Sequence, residues 1–425
     1  MIRMVNRILY SRGHIFVLGL LMAIYMVLTS PENDPDSASY IIFKQIRPPV
    51  YPIFLWLFHK FGLYQFSVAM WVQAVIAFSS LFYASNWFHK NLKLPNILIF
   101  TMLLFTTLLI FFYYKMIRIV CSEGLAFPLF IITFLLLVEC FDSFNIKKLI
   151  LLVVCSNILI LIRAQFYYFY ILFAILIAWY IWKKITIKNV FLGIMIMTIS
   201  ILITLMLNRG YHFFMHGYFG EVPLVGRQLI IQPLYLSNIS DAQYFKNPEE
   251  KILFTNMLAQ LEKHQLTKES AAPVLQPLGI HSAYNYYATI YHSIQKDNDR
   301  ALSAMTDYQK DVTSLSMSKV LYLHSIKQNV IFYLWKISSF FGEIPAFIVF
   351  LMVTVAAFFR IVADKKRDPS INQIFILVSL LTILINTAFV SIFEPMLPSY
   401  SYYSYFLIYC LGGLIAKKCL YPNEL

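Results

Sequence analysis

Residues 14–30 read HIFVLGLLMAIYMVLTS and residues 36–52 read DSASYIIFKQIRPPVYP. The first run carries no Lys, Arg, Asp or Glu and comes close to the roughly 20 apolar residues that cross a bilayer. The second places an acid, a basic group and a rigid Pro-rich turn directly after it. Arg3, Arg7 and Arg12 precede the apolar run as they would in a signal peptide, but no small-residue cleavage site follows, so the segment reads as a retained anchor. Where this span leaves the membrane decides what the polar groups of 36–52 can reach.

Working outward, further apolar stretches fall at about 66–85, 96–114, 119–139, 147–164, 165–182, 189–207, 343–363, 371–393 and 400–416. With 60% hydrophobic and only 13% charged residues, the chain reads as an all-α polytopic membrane protein of about ten transmembrane helices. The five cysteines lie in or beside apolar runs, which argues against a disulfide framework or a Cys-rich metal site. Three regions are expected: an N-terminal transmembrane module over 1–207 with its first outer loop at 31–65, an outward-facing soluble segment at 208–327, and C-terminal transmembrane helices over 328–425.

Lys and Arg in short loops set orientation. With the N-terminus cytoplasmic, the inner loops hold Lys90 and Lys93, Lys147 and Lys148, Lys183, Lys184 and Lys188, then Arg360 with Lys365, Lys366 and Arg367, and finally Lys417 and Lys418. The formal net charge of +13 is thus mostly a topology signal and gives no reason to invoke nucleic acid. The soluble segment opens a helix at Asn247-Pro248-Glu249-Glu250, a cap, a first-turn proline and two acids, followed by Ile252, Leu253, Met257 and Leu261 at helical spacing. Tyr284, Tyr286, Tyr287 and Tyr291 read as an interfacial belt, with a sugar- or lipid-lining surface as the other reading. Residues 329–341, with Trp335 and Lys336, read as a helix in the headgroup layer.

Six basic residues fall at outer span ends where the orientation rule does not call for them: Arg47, Lys115, Arg118, Arg163, Arg209 and Arg227. Singly, each could snorkel to headgroups. Together, and beside the acids Glu32, Asp34, Asp36 and Glu123, they suit a lipid phosphate, whose geometry matches the arginine fork. Asp36 precedes Tyr40 by four residues, so one helical turn would put both on one face, and a carboxylate facing a bound phosphate can take a proton from an attacking hydroxyl. Asp34-Pro35-Asp36 could also hold Mg²⁺ or Mn²⁺ through oxygen, although no motif demands a cofactor. His212 and His216 have the spacing of a helical metal pair but lack an adjacent acid or third ligand, and read as interfacial histidines without a metal.

Four places in this order resemble the GT-C glycosyltransferases, and within them the protein O-mannosyltransferase and aminoarabinose-transferase-like proteins. Asp36-Ser37-Ala38-Ser39-Tyr40 is similar to the family's first-loop acid with Tyr four residues on, and Arg47-Pro48-Pro49-Val50-Tyr51-Pro52 resembles its Pro-Pro-Leu-Tyr turn. Ser122-Glu123-Gly124-Leu125 looks like its acidic motif at the outer start of the fourth span, and Leu161-Ile162-Arg163 like its Leu-x-Arg segment. The loop Phe393-Glu394-Pro395-Met396-Leu397-Pro398 fits the same plan. In the family an acid usually follows the first one directly, whereas here Ser37 follows Asp36, which leaves Asp34 and Asp36 both open as the catalytic position, Asp36 being favoured by its spacing to Tyr40.

The resemblance implies transfer of a sugar from a polyprenyl-phosphate donor to a glycan, lipid or protein hydroxyl at the outer, periplasmic face of the inner (plasma) membrane, with both termini cytoplasmic and inversion at the sugar carbon. Asp36 or Asp34 would be the base, Arg47, Lys115, Arg118 and Arg163 would bind the donor phosphate, and Tyr40, Tyr51, Glu123, Arg209 and Arg227 would contact substrate. No resident metal is implied. Two other classes remain. An O-antigen polymerase or ligase would centre catalysis on its large outer loop, and a lipid-linked glycan transporter or flippase would show internal repeats and mid-span charges.

Overall fold

The computed structural model describes residues 13–270, 283–363, 368–395 and 398–421. Arg3, Arg7, Arg12, Lys365, Lys366, Arg367, Met396 and Leu397 lie outside the described residues, as does the side chain of Tyr284. Among the described residues no strand forms, and the only bridge pairs Glu32 with Ile119. The protein is a helical membrane protein.

In chain order the helices are α1 (Gly13–Leu28), α2 (Ser37–Ile41), α3 (Val50–Trp56), α4 (Gln65–Asn91), α5 (Asn96–Thr106), α6 (Glu123–Asp142), α7 (Ile146–Ile162), α8 (Phe169–Trp182), α9 (Ile187–His216), α10 (Val225–Leu229), α11 (Ile231–Leu236), α12 (Pro248–Lys263), α13 (Ala283–Ala301), α14 (Asp307–His324), α15 (Ile326–Phe340), α16 (Ile344–Ala363), α17 (Ile371–Phe393) and α18 (Pro398–Leu420). Seven helical stretches among the described residues are long and apolar enough to cross a membrane: His59–Asn91, Asn96–Tyr113, Glu123–Asp142, Ala164–Trp182, Ile187–His216, Ile344–Ala363 and Ile371–Phe393. The other three expected spans correspond to α1, with 16 residues, α7, with 17, and α18, with 23. The first two are short; α18 is long enough, but the Ser and Tyr run of its first half and Lys417 and Lys418 at its end dilute its apolar character.

The chain divides into two compact units, Met1–Tyr211 with Met352–Asn386 and Ser399–Leu425, and His212–Leu351 with Thr387–Pro398. In lipid no hydrophobic force drives helices together, so close packing of small residues must do it. α4 meets this need with Ala69, Ala77, Ser80 and Ala84, all fully buried at helical spacing, on a helix that packs extensively against α6. α6 packs in turn against α7. Aromatic side chains fill the remaining space: Tyr403 of α18 lies edge-on to Phe166 at 4.8 Å and to Phe130 at 5.1 Å between ring centroids.

The second unit has its own core. Asn247 caps α12 by accepting from the Glu249 N–H at 2.9 Å, Pro248 opens the helix, and Phe254, Met257, Leu258 and Leu261 turn inward. Opposite them α13 contributes Tyr286, Tyr287 and Tyr291, all buried. These tyrosines are core residues, neither a belt nor a binding surface; their spacing puts them on one face of an amphipathic helix whose other face is charged. α15 exposes Val330, Ile331, Leu334 and Trp335, but Lys336 on its opposite face is fully buried.

Candidate functional site in the first unit

α1 ends at Leu28, and the chain then pairs with the segment leading into α6. The Glu32 N–H donates to the Arg118 carbonyl at 2.9 Å, and the Val120 N–H to the Glu32 carbonyl at 2.9 Å. That segment is presented by an irregular turn. α5 continues into a π-helical turn over Thr107–Tyr113, after which Lys115 takes a left-handed backbone with φ of 55°. The hydroxyl of Ser37 adds a third tie, donating to the Val120 carbonyl at 2.8 Å. This clasp sets the first loop against the N-terminus of α6.

Asp34 and Asp36 then part ways. Asp34 Oδ1 accepts the backbone N–H groups of Asp36 at 2.8 Å and Ser37 at 2.9 Å, shaping the turn that starts α2. Its half-buried carboxyl is pushed above the usual range by desolvation. Asp36 sits at the N-cap position of α2 but makes no side-chain cap bond. Its carboxylate is instead 60% exposed and pairs with Arg47 Nη2 at 2.5 Å.

From Arg47 a continuous chain of polar contacts runs inward. Its Nε donates to Ser39 Oγ at 2.7 Å and its Nη1 to the Tyr40 hydroxyl at 3.2 Å. Tyr40 meets Ser122 Oγ at 2.9 Å, and Ser122 gives its proton to Glu123 Oε2 at 3.2 Å. A hydroxyl has one proton, so with that proton on Glu123, Tyr40 must donate to Ser122. Burial pushes the Tyr40 phenol up to about 12. Glu123 closes an ion pair with Arg163 Nη1, both side chains being about nine-tenths shielded, at 15% and 13% exposure.

Arg163 is the C-cap of α7, where the chain turns extended, and is held on three sides. Its Nε donates to Gln165 Oε1 at 3.1 Å, its Nη1 also reaches Ser122 at 3.5 Å, and its guanidinium lies 4.8 Å from the centre of the Tyr400 ring. Gln165 passes the support to the last two helices, donating to Asn386 Oδ1 at 2.8 Å and the Tyr400 carbonyl at 3.3 Å. Tyr51 is wholly buried behind Tyr40, edge-on at 4.9 Å, and its hydroxyl has no hydrogen-bond partner. The Gln73 amide is likewise buried without a partner, packed against Gly124 so closely that a Cβ there would overlap it.

The structure therefore joins Asp36, Tyr40, Arg47, Tyr51, Glu123 and Arg163 in one cluster. Lys115 and Arg118 pair with a different carboxylate, Glu32, Lys115 at 3.1 Å. Hydrogen bonds from Arg118 and then Lys115 hold the Glu32 carboxyl below its ordinary range. Arg209 lies near the end of α9, half-buried. Arg227 belongs to the second unit and is committed there: its fork takes Asp299 through Nε at 3.0 Å and Nη2 at 2.5 Å, and its Nη1 meets Asp307 at 3.2 Å. Among the described residues no group of three or more His, Cys, Asp or Glu is arranged to hold a metal. In particular, the Asp34-x-Asp36 pair is divided between a backbone turn and an arginine. Gln165, Asn386 and Tyr400 escaped the reading of the sequence, and Ser39 and Ser122 entered it only as motif neighbours of Tyr40 and Glu123, because small polar residues and a tyrosine in a Tyr-rich run carry no distinguishing pattern of their own.

No family model, curated protein or solved structure matches this chain.

Proposed function

We infer that this chain is a membrane glycosyltransferase of GT-C type that moves a sugar from a polyprenyl-phosphate donor to an acceptor hydroxyl. One observation carries the reading: an exposed carboxylate, Asp36, is linked through Arg47, Tyr40 and Ser122 to the shielded Glu123–Arg163 pair. It supports a site where an acid faces a phosphate-binding arginine, the arrangement such a transfer requires. The orphaned Tyr51 hydroxyl and Gln73 amide beside the cluster also suit a polar ligand.

In this mechanism the donor phosphate competes with Asp36 for Arg47, so donor binding releases the carboxylate. The acceptor oxygen then attacks the anomeric carbon while Asp36 takes the hydroxyl proton. The bond from that carbon to the phosphate oxygen breaks, its electron pair stays on the lipid phosphate, and Arg47 and Arg163 stabilise the charge. Glu123 holds Arg163 in place. Lys115 and Arg118, balanced by only one carboxylate, add positive field on the approach. Asp34, engaged with backbone N–H groups, shapes the loop and leaves the base role to Asp36. Under the Lys and Arg loop rule, with ten spans and both termini cytoplasmic, this cluster faces the periplasm from the inner membrane.

Asp36→Asn keeps size and polarity and removes the base. Mass analysis of surface glycans in a deletion strain complemented with wild type or Asp36→Asn, backed by transfer assays on the purified proteins, should show loss of the product with normal membrane insertion. An active purified Asp36→Asn protein would remove the assignment.

A further inference from the structure

A cavity of about 390 Å³ opens beside Arg118. Met26 and Val27 of α1 and Met70 and Trp71 of α4 line its apolar side, and Ser30 and Arg118 its polar side. Val27 is 73% and Trp71 41% exposed, so the apolar side runs out to the flank of two apolar helices, where lipid chains lie. A tryptophan at such an edge suits headgroup depth.

The polar side is incompletely satisfied. Glu32 takes Arg118 Nη2 and Lys115 Nζ, yet the buried Arg118 Nε–H has no partner. An unmet buried donor on a guanidinium costs more than a neutral one, and its fork geometry matches a phosphate oxygen. Charge narrows the choice further. Two cations against one carboxylate leave one formal positive charge, which a phosphodiester with a single negative charge neutralises. A phosphomonoester, at about −1.5 to −2 near neutral pH, would overshoot.

We propose that this cavity binds the phosphodiester headgroup of an anionic bilayer phospholipid, with its hydrocarbon along Val27 and Trp71. The site goes beyond the transfer reaction, although Lys115 and Arg118 also supply the positive field on the donor's approach. Because Glu32 also forms the clasp to Arg118 and Val120 through its backbone, a bound lipid braces the first loop.

The test reconstitutes the full chain in nanodiscs of phosphatidylcholine alone, the same lipid doped with phosphatidylglycerol, or doped with undecaprenyl phosphate. Lipid adducts are read by native mass spectrometry and unfolding by the thermal midpoint. The wild type should retain one phosphatidylglycerol and melt higher in that arm. Arg118→Gln should lose both the adduct and the shift. Ser67 also lines the cavity, so Ser67→Phe, which fills it and keeps every charge, should lose the adduct too, and carries the test should Arg118→Gln fail to fold. Equal phosphatidylglycerol retention by wild type and Ser67→Phe would overturn the proposal. So would retention of undecaprenyl phosphate alone, which would make the carrier lipid the occupant.

Discussion

Glu123 and Arg163 give the sharpest quantitative test, because the two charges are shielded and each has few other partners of opposite sign. Replacing Arg163 by Met keeps the aliphatic stem of the side chain but leaves Glu123 a poorly solvated carboxylate without its cation. Breaking a buried pair from one side costs about 3–5 kcal/mol, most of it from the stranded charge. At about 2 °C per kcal/mol for a large chain, that is a fall of roughly 6–10 °C in the thermal midpoint. Glu123→Gln alone should fall by a similar amount, since it leaves Arg163 to Gln165, Ser122 and the Tyr400 ring. The double variant strands no charge, so it should melt well above the sum of the two losses, a coupling of about 2–3 kcal/mol. Differential scanning fluorimetry in one detergent on all four proteins completes the cycle. If the losses simply add, the pair is screened by water and the reasoning from its burial is refuted.

Asp34→Asn should keep both turn hydrogen bonds and both stability and transfer, whereas Asp34→Ala should lose about 1–2 kcal/mol of stability; a dead but stable Asp34→Asn protein would move the base to Asp34. Gly226→Ala should destabilise the second unit by about 1–3 kcal/mol, because the added Cβ meets the Asp311 carbonyl and the Leu315 amide of α14, backbone that cannot yield. Gly210→Ala, inside a helix with open space around it, should instead gain up to about 1 kcal/mol in the same melting assay. Lys336→Met should stabilise the protein most at low pH. Burial lowers Lys336 to about 7, with Glu394 opposing the shift, so between pH 7 and its ordinary 10.5 the unfolded chain holds a proton the folded one lacks, and stability rises with pH. The penalty is full below about pH 7 and gone above about pH 10.5, so the gain from Met should shrink between melts at about pH 6 and about pH 10.

What the sequence made legible was mainly what depends on local composition. Seven of the long apolar runs became helices of membrane-spanning length, and Asn247-Pro248 began a helix, because both follow from residues within one turn or one span. In the site, Asp36, Tyr40 and Arg47 come together across a short loop whose turn residues set its shape. Which of Asp34 and Asp36 shapes the turn needed the backbone, since only coordinates show which carboxylate accepts its N–H groups. Arg227 illustrates the limit best. Its position marked it as an outward cation, but its partners Asp299 and Asp307 lie 72 and 80 residues further on, where nothing in their neighbourhood points back to it. The tyrosines of α13 misled for a related reason: an amphipathic aromatic face reads alike whether lipid or another helix covers it.

Gln165 reaches Asn386 and Tyr400, 221 and 235 residues along the chain. During synthesis the first loop, α6 and Arg163 are therefore in place long before the groups that support Gln165 have left the ribosome. Until α17 and α18 insert, Arg163 lacks the Tyr400 ring and its bracing glutamine lacks both acceptors. A chain cut short before them would carry every charged residue of the cluster and still hold Arg163 loosely. The cluster is thus complete only once the last two helices have inserted, however early its charged residues are made.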